Sequence, residues 1–577
     1  MTRVLIIGGV AGGATAAARA RRLDETAEIT VLERGPYVSY ANCGLPYFIS
    51  GDIPKRSSLL LQTPEGFDAR YRIDVRVQTE ALEIDRAGQR VRVRGPQGEA
   101  WLEYDRLVLT QGGSPIMPGL PGHDASHVFK LWTVPDMDRL DGFLREAKPR
   151  TAVVVGGGFI GLEMAEAFQR RGLETTVVEL LPTVMSLMDR ELGVLVRREL
   201  EGSGVRVETG VGLAGIDPAA KTVKLSDGRE LPAELVLFSV GVRPELALAR
   251  AAGLALGPSG ALEVDEHLRT SDPAIWAAGD MIEVVQKVSG KRVRVPLAGP
   301  ANRQGRIAAT NALGGSMRYG GALGTSVVKI FEATAAMTGL SERAAREAGL
   351  DVGVAVIHKD HHAGYYPGAR ELTLKLVYER RSGRFLGAQA FGHEGVEKRV
   401  DVLATALHGR MTVHDLAELD LAYAPPYSSA NDPVNLAAFV AENDLSGFSP
   451  LVTAAQLRAE LASPAPPVVL DVRTLGEWER GHLAGAIHMT VDDVRFDHGT
   501  LPKGRRILVY CRSGFRAHLA VRALKQLGHA DVANVTGGWV SMLAEDGLAL
   551  VGVASEDVAR EGGARAAAEP AKVEVTA

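Results

Sequence analysis

RVLII (3 to 7) gives a short buried-strand pattern, broken at the turn GGVAGG; apolar residues return among Ala and Arg to about residue 23 before EITVLERG restores a strand pattern. A short apolar run, a glycine turn and an amphipathic stretch in that order predict a β-turn-α-β unit. The same order recurs in TAVVVGGGFIGLEMAEAFQRRGLETTVVEL (151 to 180), so the chain carries two such units and two expected nucleotide sites. Runs such as RLVLTQGGSP (106 to 115), ELVLFSVGVRPE (234 to 245) and IWAAGD (275 to 280) read as interrupted returns to the first sheet. From about 322, β-branched runs (TSVVKI, ELTLKLVYE) followed by a helical stretch near 394 to 410 predict an α+β third domain. Turn-rich DLSGFSP and ASPAPP bracket a linker region at 446–466, and VVLDVR restarts the pattern as a small domain. The expected layout is 1–115 with 240–321, then 116–239, 322–445 and 453–550, with an Ala/Glu/Arg-rich disordered tail over 551–577.

Composition narrows the class. A chain of 577 residues exceeds one ordinary core, and 65 glycines predict many tight turns. Seventy acidic against 65 basic residues, net −5, give no surplus of positive charge for nucleic acid or an anionic membrane. No apolar run reaches the roughly 18 residues a membrane span needs. Two cysteines, Cys43 and Cys511, form neither a disulfide framework nor a C-x-x-C metal site, so no metal is expected. Lone thiols and small-molecule partners suit a reducing cytoplasm.

The second glycine turn is complete. Gly156, Gly158 and Gly161 allow amides at a helix start, near Phe159 and Ile160, to approach a pyrophosphate. Glu179, ending the next strand, can accept from an adenosine ribose and would repel a 2′-phosphate, which favours NADH over NADPH. The first turn keeps Gly8, Gly12 and Gly13 but places Val10 where close approach normally requires glycine, while Glu33, followed by Arg34, stands at the matching position.

These two turns, TQGGSP with Thr110, and AAGD at 277 to 280 occur in an order that resembles the two-dinucleotide-binding flavoprotein disulfide reductases. The resemblance spans about 1 to 445. It implies an α/β fold with two Rossmann-like domains, for FAD and NADH, an α+β dimerisation domain, and a homodimer. It places Gly279 and Asp280 at the flavin ribityl or phosphate region.

Many members of that group use a cysteine pair, whereas SYANCGLPYF (39 to 48) holds one cysteine. A helix expected at or near Cys43 would lower its pKa toward thiolate. Together with HHAGYYPGA (361 to 369) and LAYAPPYSSANDPVN (421 to 435), this stretch resembles the coenzyme A disulfide reductases. That likeness makes Cys43 alternate between thiolate and a mixed disulfide with coenzyme A. It puts Thr15, Arg19, Arg22, Ser39 and Asn42 near the coenzyme and Glu163 with Phe159 beside the nicotinamide. It brings Tyr365 and Tyr423 to the partner's site, with Tyr366 and Tyr427 as rivals. An NADH peroxidase or oxidase, cycling a sulfenic acid, is the alternative within the fold. Those relatives carry a histidine where this chain has Ala11.

Further on, VVLDVRTLGEWERGHLAGAIHM and RILVYCRSGFRAHLAVRALKQLG resemble the rhodanese sulfurtransferases over about 453 to 548, with Asp471 and Arg473 in the DVR signature. Cys511 falls between a strand and a helix, where inward amides stabilise a thiolate or persulfide, and Arg512 and Arg516 add positive charge. A phosphatase cradle needs one more residue than the four between Cys511 and Arg516. Glu477 and Trp478 read as helix and core residues. The combined expectation is an FAD-dependent NAD(P)H reductase of coenzyme A disulfide, persulfide or polysulfide, with sulfane sulfur accepted at Cys511. The rival from another class is a redox-responsive interaction protein of negligible turnover.

Overall fold

The computed structural model describes residues 1–552 and divides into two compact units, 1–184 with 204–324, and 185–203 with the remainder. In the first unit two parallel five-stranded sheets repeat one plan. One runs Ile275–Ala277, Arg106–Leu109, Arg3–Ile7, Glu28–Leu32, Asp74–Arg76. The other runs Arg206–Thr209, Glu174–Glu179, Thr151–Val155, Leu235–Phe238, Val128–Phe129. After their first residues, Arg3 and Thr151, the central strands are continuous apolar runs buried on both sides, as expected where helices cover both faces of a parallel sheet. Leu235–Phe238 therefore corrects the sequence expectation. It pairs with Thr151–Val155 in the second sheet, while Val242–Pro244 pairs with Gly113–Pro115 as a two-stranded link. Periodicity cannot distinguish two sheets built from equally apolar strands.

The glycine turns position everything that follows. Gly8 has φ +101°, and a Cβ on Gly13 would lie 1.8 Å from the Gly8 carbonyl oxygen. Helix Ala11–Leu23 consequently starts directly against the turn. Val10 caps it at φ −100°, outside the left-handed region that demands glycine. In the second unit a five-stranded antiparallel sheet runs Ser326–Ile330, Ala333–Gly339, Phe385–Gly392, Glu371–Glu379, Val352–Asp360. Beside it lies a parallel sheet in the order Leu451–Val452, Val532–Val535, Ile507–Tyr510, Val468–Asp471, Ile487–His488.

The stretch expected to be a linker, 446–466, is instead built in. It supplies the edge strand Leu451–Val452 and helix Ala454–Leu461, whose Thr453/Gln456 capping box closes its first turn. Of the expected tail, Val551 pairs with His482, and the residues after 552 lie outside the described residues.

Lys375 is fully buried in the antiparallel sheet, with Asp189 and Glu342 each at 2.9 Å and Glu191 in the same cluster. It ties helix Arg190–Gly202 to that sheet. Burial opposes its charge, but the three carboxylates outweigh burial and raise its pKa. In turn, burial would raise Asp189 and Glu342, and the ammonium holds both below the usual range. Stability from these carboxylates is present above their unfolded pKa and is lost as pH falls through the folded one. Lys375→Met, which strands buried Asp189 beside the half-buried Glu191 and Glu342, should lower the stability of this unit by about 3 kcal/mol in chemical denaturation. Adding Asp189→Asn should recover part of that loss.

Candidate active site

Both glycine turns are locked by the acid that follows them. Glu33 accepts from the Gly9 and Gly35 amides at 2.9 and 2.7 Å, and Glu179 from Gly157 and Leu181 at 2.7 and 2.8 Å. Each carboxylate keeps further lone-pair capacity toward the cleft. Burial raises the Glu33 pKa against the two amides that lower it. Around the first turn opens a cleft of about 380 Å³ bordered by Gly8, Gly12, Glu33, Thr110, Gly279 and Asp280. Thr110 braces its floor through the Ile7 and Gly8 carbonyls, and Gln304 accepts from the Gly279 amide. Arg34 pairs with Glu245 at 3.6 Å on the rim.

The residues present fit a flavin dinucleotide in this cleft. Asp280 is pushed up to about 6 by burial alone, so this carboxyl faces the cleft without a charged partner. At the second turn a Cβ on Gly158 would meet nothing within 4 Å, which leaves open space at the N-terminus of helix Phe159–Arg170 for a nicotinamide dinucleotide.

Cys43 corrects one expectation. It sits in a three-residue 3₁₀ turn, Asn42–Gly44, and the helix Leu45–Ser50 starts two residues later and is only six residues long. The thiol opens to solvent yet lies in a recess: partial burial, then the charges of Glu163 and Asp280, push its pKa up rather than down. Its S–H points to Asn42 Oδ1 at 3.7 Å. Ser39 holds φ +48°, its amide donating to the Gly9 carbonyl, so the cysteine turn is strapped to the first glycine turn.

Sequence reasoning missed Tyr47, one helical turn from the cysteine. Its hydroxyl donates to Glu163 Oε1 at 3.0 Å, while Arg171 donates to the Ile49 carbonyl and Arg170 pairs with Asp52. Helix Phe159–Arg170 is thereby fastened to the cysteine helix. Burial pushes Glu163 up to about 7, opposed by the Tyr47 bond.

Of the five residues assigned to coenzyme A, Ser39 and Asn42 flank Cys43. Thr15 and Arg19 meet Asn302 and Thr310 of helix Ala298–Ala312, at 2.6 and 3.0 Å, and exposed Arg22 bonds its own helix at Ala18.

In the second unit the two tyrosine motifs are joined. Buried Arg399 donates to the His361 carbonyl and to Asp432, and the Ala363 amide donates to the Ser428 carbonyl. The Tyr365 and Tyr423 hydroxyls then lie 3.1 Å apart, both exposed. Tyr366 packs edge-on against His362, and Tyr427 is exposed without entering that pair.

Cys511 is buried at the end of strand Ile507–Tyr510, and the Gly514 amide donates to its sulfur at 3.1 Å. Asp471 and Arg473 form a buried pair with the Arg473 guanidinium 4.3 Å from the Trp539 ring, and Trp539 and Val540 donate to the carbonyls of Cys511 and Arg512. The DVR signature thus buttresses the loop from behind. Glu477, read as a plain helix residue, instead holds Arg516 through two bonds of 2.7 Å and is driven down to about 2, against burial, by that arginine. Only its spacing from Thr474, a capping box, was visible in sequence.

Because a charged Glu163 raises the Cys43 pKa, Glu163→Gln should move the pH midpoint of Cys43 alkylation downward, measured in a Cys511→Ser background. An unmoved midpoint would mean that the carboxylate does not act on the sulfur.

Residues 2–305 match the pyridine nucleotide-disulphide oxidoreductase family, 325–433 its dimerisation domain and 453–545 the rhodanese-like domain. Among curated relatives, the NAD(P)H sulfur oxidoreductase (CoA-dependent) of Pyrococcus abyssi is 36% identical over 76% of this chain and 97% of its own. The coenzyme A disulfide reductase of Staphylococcus haemolyticus is 32% identical over 77% and 100%. The structure of reduced Bacillus anthracis CoADR-RHD superposes with a TM-score of 0.91 at 40% identity, covering 94% of this chain and 98% of that one. An NAD-dependent persulfide reductase from A. fulgidus gives 0.87 at 38% identity, covering 93% and 99%. The chain belongs to the pyridine nucleotide-disulphide oxidoreductases, as an FAD- and NAD(P)H-dependent flavoprotein reductase that carries a rhodanese-like domain behind its dimerisation domain.

Proposed function

We propose that the chain reduces coenzyme A persulfide, and coenzyme A disulfide by the same chemistry, through Cys43 alone, and that Cys511 accepts sulfane sulfur. The observation that carries this reading is the single thiol at the cleft. No other cysteine precedes residue 511, so the second sulfur of any disulfide formed there must arrive with the substrate. Relatives named for coenzyme A disulfide and for polysulfide or persulfide reduction support it, as does the likeness to the A. fulgidus persulfide reductase over nearly the full chain.

Attack of the Cys43 thiolate on the thiol-bearing sulfur of coenzyme A persulfide forms a Cys43–coenzyme A disulfide. The persulfide S–S bond breaks, and hydrosulfide leaves with the electron pair. Bound FAD supplies the route by which a pair of electrons from NADH returns to that disulfide. Thr110, Asp280 and the first glycine turn would hold the flavin, and Gly156, Gly158, Phe159, Ile160 and Gly161 the nicotinamide nucleotide. Glu179 accepts from the adenosine ribose and selects NADH. Glu163, held by Tyr47 and titrating near neutrality, exchanges a proton beside the sulfur. Ser39, Asn42, Thr15, Arg19 and Arg22 bind the coenzyme. In a homodimer, the Tyr365–Tyr423 pair reaches the partner's Cys43 and protonates the departing thiolate of coenzyme A. The setting is the reducing cytoplasm, where both cysteines stay free; among the described residues no helix is long and apolar enough to cross a membrane.

NADH oxidation should be stimulated by coenzyme A persulfide and coenzyme A disulfide, not by peroxide or oxygen. Cys43→Ser should lower both activities by roughly a hundredfold or more, as expected for loss of a nucleophile. Tyr365→Phe with Tyr423→Phe should cost about a hundredfold. Cys511→Ser should keep turnover of preformed coenzyme A persulfide while losing sulfane transfer. Robust peroxide turnover that survives these changes would favour the oxidase reading instead.

A further inference from the structure

Both arginines of the Cys511 loop are already held by carboxylates. Arg512 donates to Glu371 at 2.6 and 3.3 Å, and Arg516 to Glu477 at 2.7 and 2.7 Å. Glu371 does not belong to the rhodanese-like domain. It opens strand Glu371–Glu379 of the dimerisation sheet, pairs across to Asp360, and enters the cradle from outside. That approach is fixed by two further contacts between the same two sheets. Thr536 accepts from the Val356 amide at 2.8 Å, and His358, buried and neutral, lies 3.3 Å from Ser541. Ser541 sits on helix Gly538–Met542, whose Trp539 and Val540 amides brace the Cys511 loop.

We infer that Glu371 and Glu477, by occupying the two loop arginines, turn Cys511 away from dianionic sulfur donors such as thiosulfate and toward persulfides of organic thiols. The inference rests on Cys511 as the sulfur acceptor. In either transfer the Cys511 thiolate attacks the outer sulfur of the donor. A new S–S bond forms on Cys511, the donor's S–S bond breaks, and the leaving group keeps its electron pair. From thiosulfate the leaving group is sulfite, whose two negative charges enter and leave the pocket and require unmatched positive charge there. From an organic persulfide it is a thiolate, one charge that a proton cancels. Two arginines facing two carboxylates offer no net positive charge, so the first donor is disfavoured and the second is not.

Glu371 is the residue to test, because Glu477 also caps its own helix through Thr474 and its loss would disturb the cradle. In the full-length protein, transfer to cyanide would be measured with thiosulfate and with cysteine persulfide as donors. Mass spectrometry of Cys511 would report loading. Glu371→Gln should raise kcat/KM for thiosulfate roughly tenfold or more and make its KM salt-dependent, since a released guanidinium attracts the dianion. Cysteine persulfide should change by less than about twofold, as a singly charged donor gains little. Glu371→Asp should keep the parent ratio of donors, and adding Arg512→Gln to Glu371→Gln should abolish the gain. A purely structural role for Glu371 would move both donors together. That result, or a parent protein that already prefers thiosulfate, overturns the inference. Transfer that persists in Cys511→Ser would instead remove Cys511 as acceptor.

Discussion

The structure depends first on backbone approach at places where a single methyl group would not fit. A Cβ on Gly13 would lie 1.8 Å from the Gly8 carbonyl, on Gly161 2.0 Å from that of Gly156, and on Gly305 2.2 Å from that of Gly12. Those contacts bring two helix N-termini against their strands and lay Ala298–Ala312 along Ala11–Leu23. Amides, dipole and the carboxyl of Asp280 then meet around one cleft. Ser39 extends the constraint to the cysteine turn, accepting a strained φ so that its amide reaches Gly9. The position of the Cys43 sulfur is therefore inherited from glycine packing some thirty residues upstream.

Within that frame four partly or mostly buried groups around the first turn and the cysteine turn shift in one direction. Glu33, Glu163, Asp280 and Cys43 all hold their protons longer than they would in water, and burial is the leading cause for each. After burial, the charges of Glu163, near 7, and Asp280, near 6, push the thiol further up. Ionising the thiol is easiest while the carboxyls remain neutral.

Sequence showed what depends on local spacing. The two β-turn-α-β units, Glu33 and Glu179 at their strand ends, and Cys511 between strand and helix all follow from neighbours within about thirty positions. Leu235–Phe238 falls inside the 116–239 domain yet reads as a return to the first sheet, since equally apolar strands fit either; only its pairing with Thr151–Val155 decides. Nor could the raised thiol be read: the short helix after Cys43 suggested a depressed pKa, whereas burial in the folded chain and then Glu163 and Asp280, from over a hundred residues away, raise it. The linker expectation failed because turn residues flank Leu451–Val452, whose partner strand lies some eighty residues later. Glu371 had no signal at all. It is 141 positions from Arg512 and follows a loop that drew attention only for its tyrosines.

That last pairing bears on why the two chemistries share a chain. The rhodanese-like cradle is not suspended from a tether; it is bonded to the dimerisation sheet through Val356, His358 and Glu371. Strand Val352–Asp360, which makes two of these contacts, runs directly into the loop that carries Tyr365, and Glu371 leaves it. His358 is held near 4 by burial, so it stays uncharged through the neutral range. Below the ordinary histidine pKa the unfolded chain binds the proton that the folded one refuses, and this junction weakens as pH falls toward 4. At neutral pH the cradle is therefore held on the same sheet whose strand runs into the tyrosine loop, so the Cys511 loop and the Tyr365–Tyr423 pair share one support.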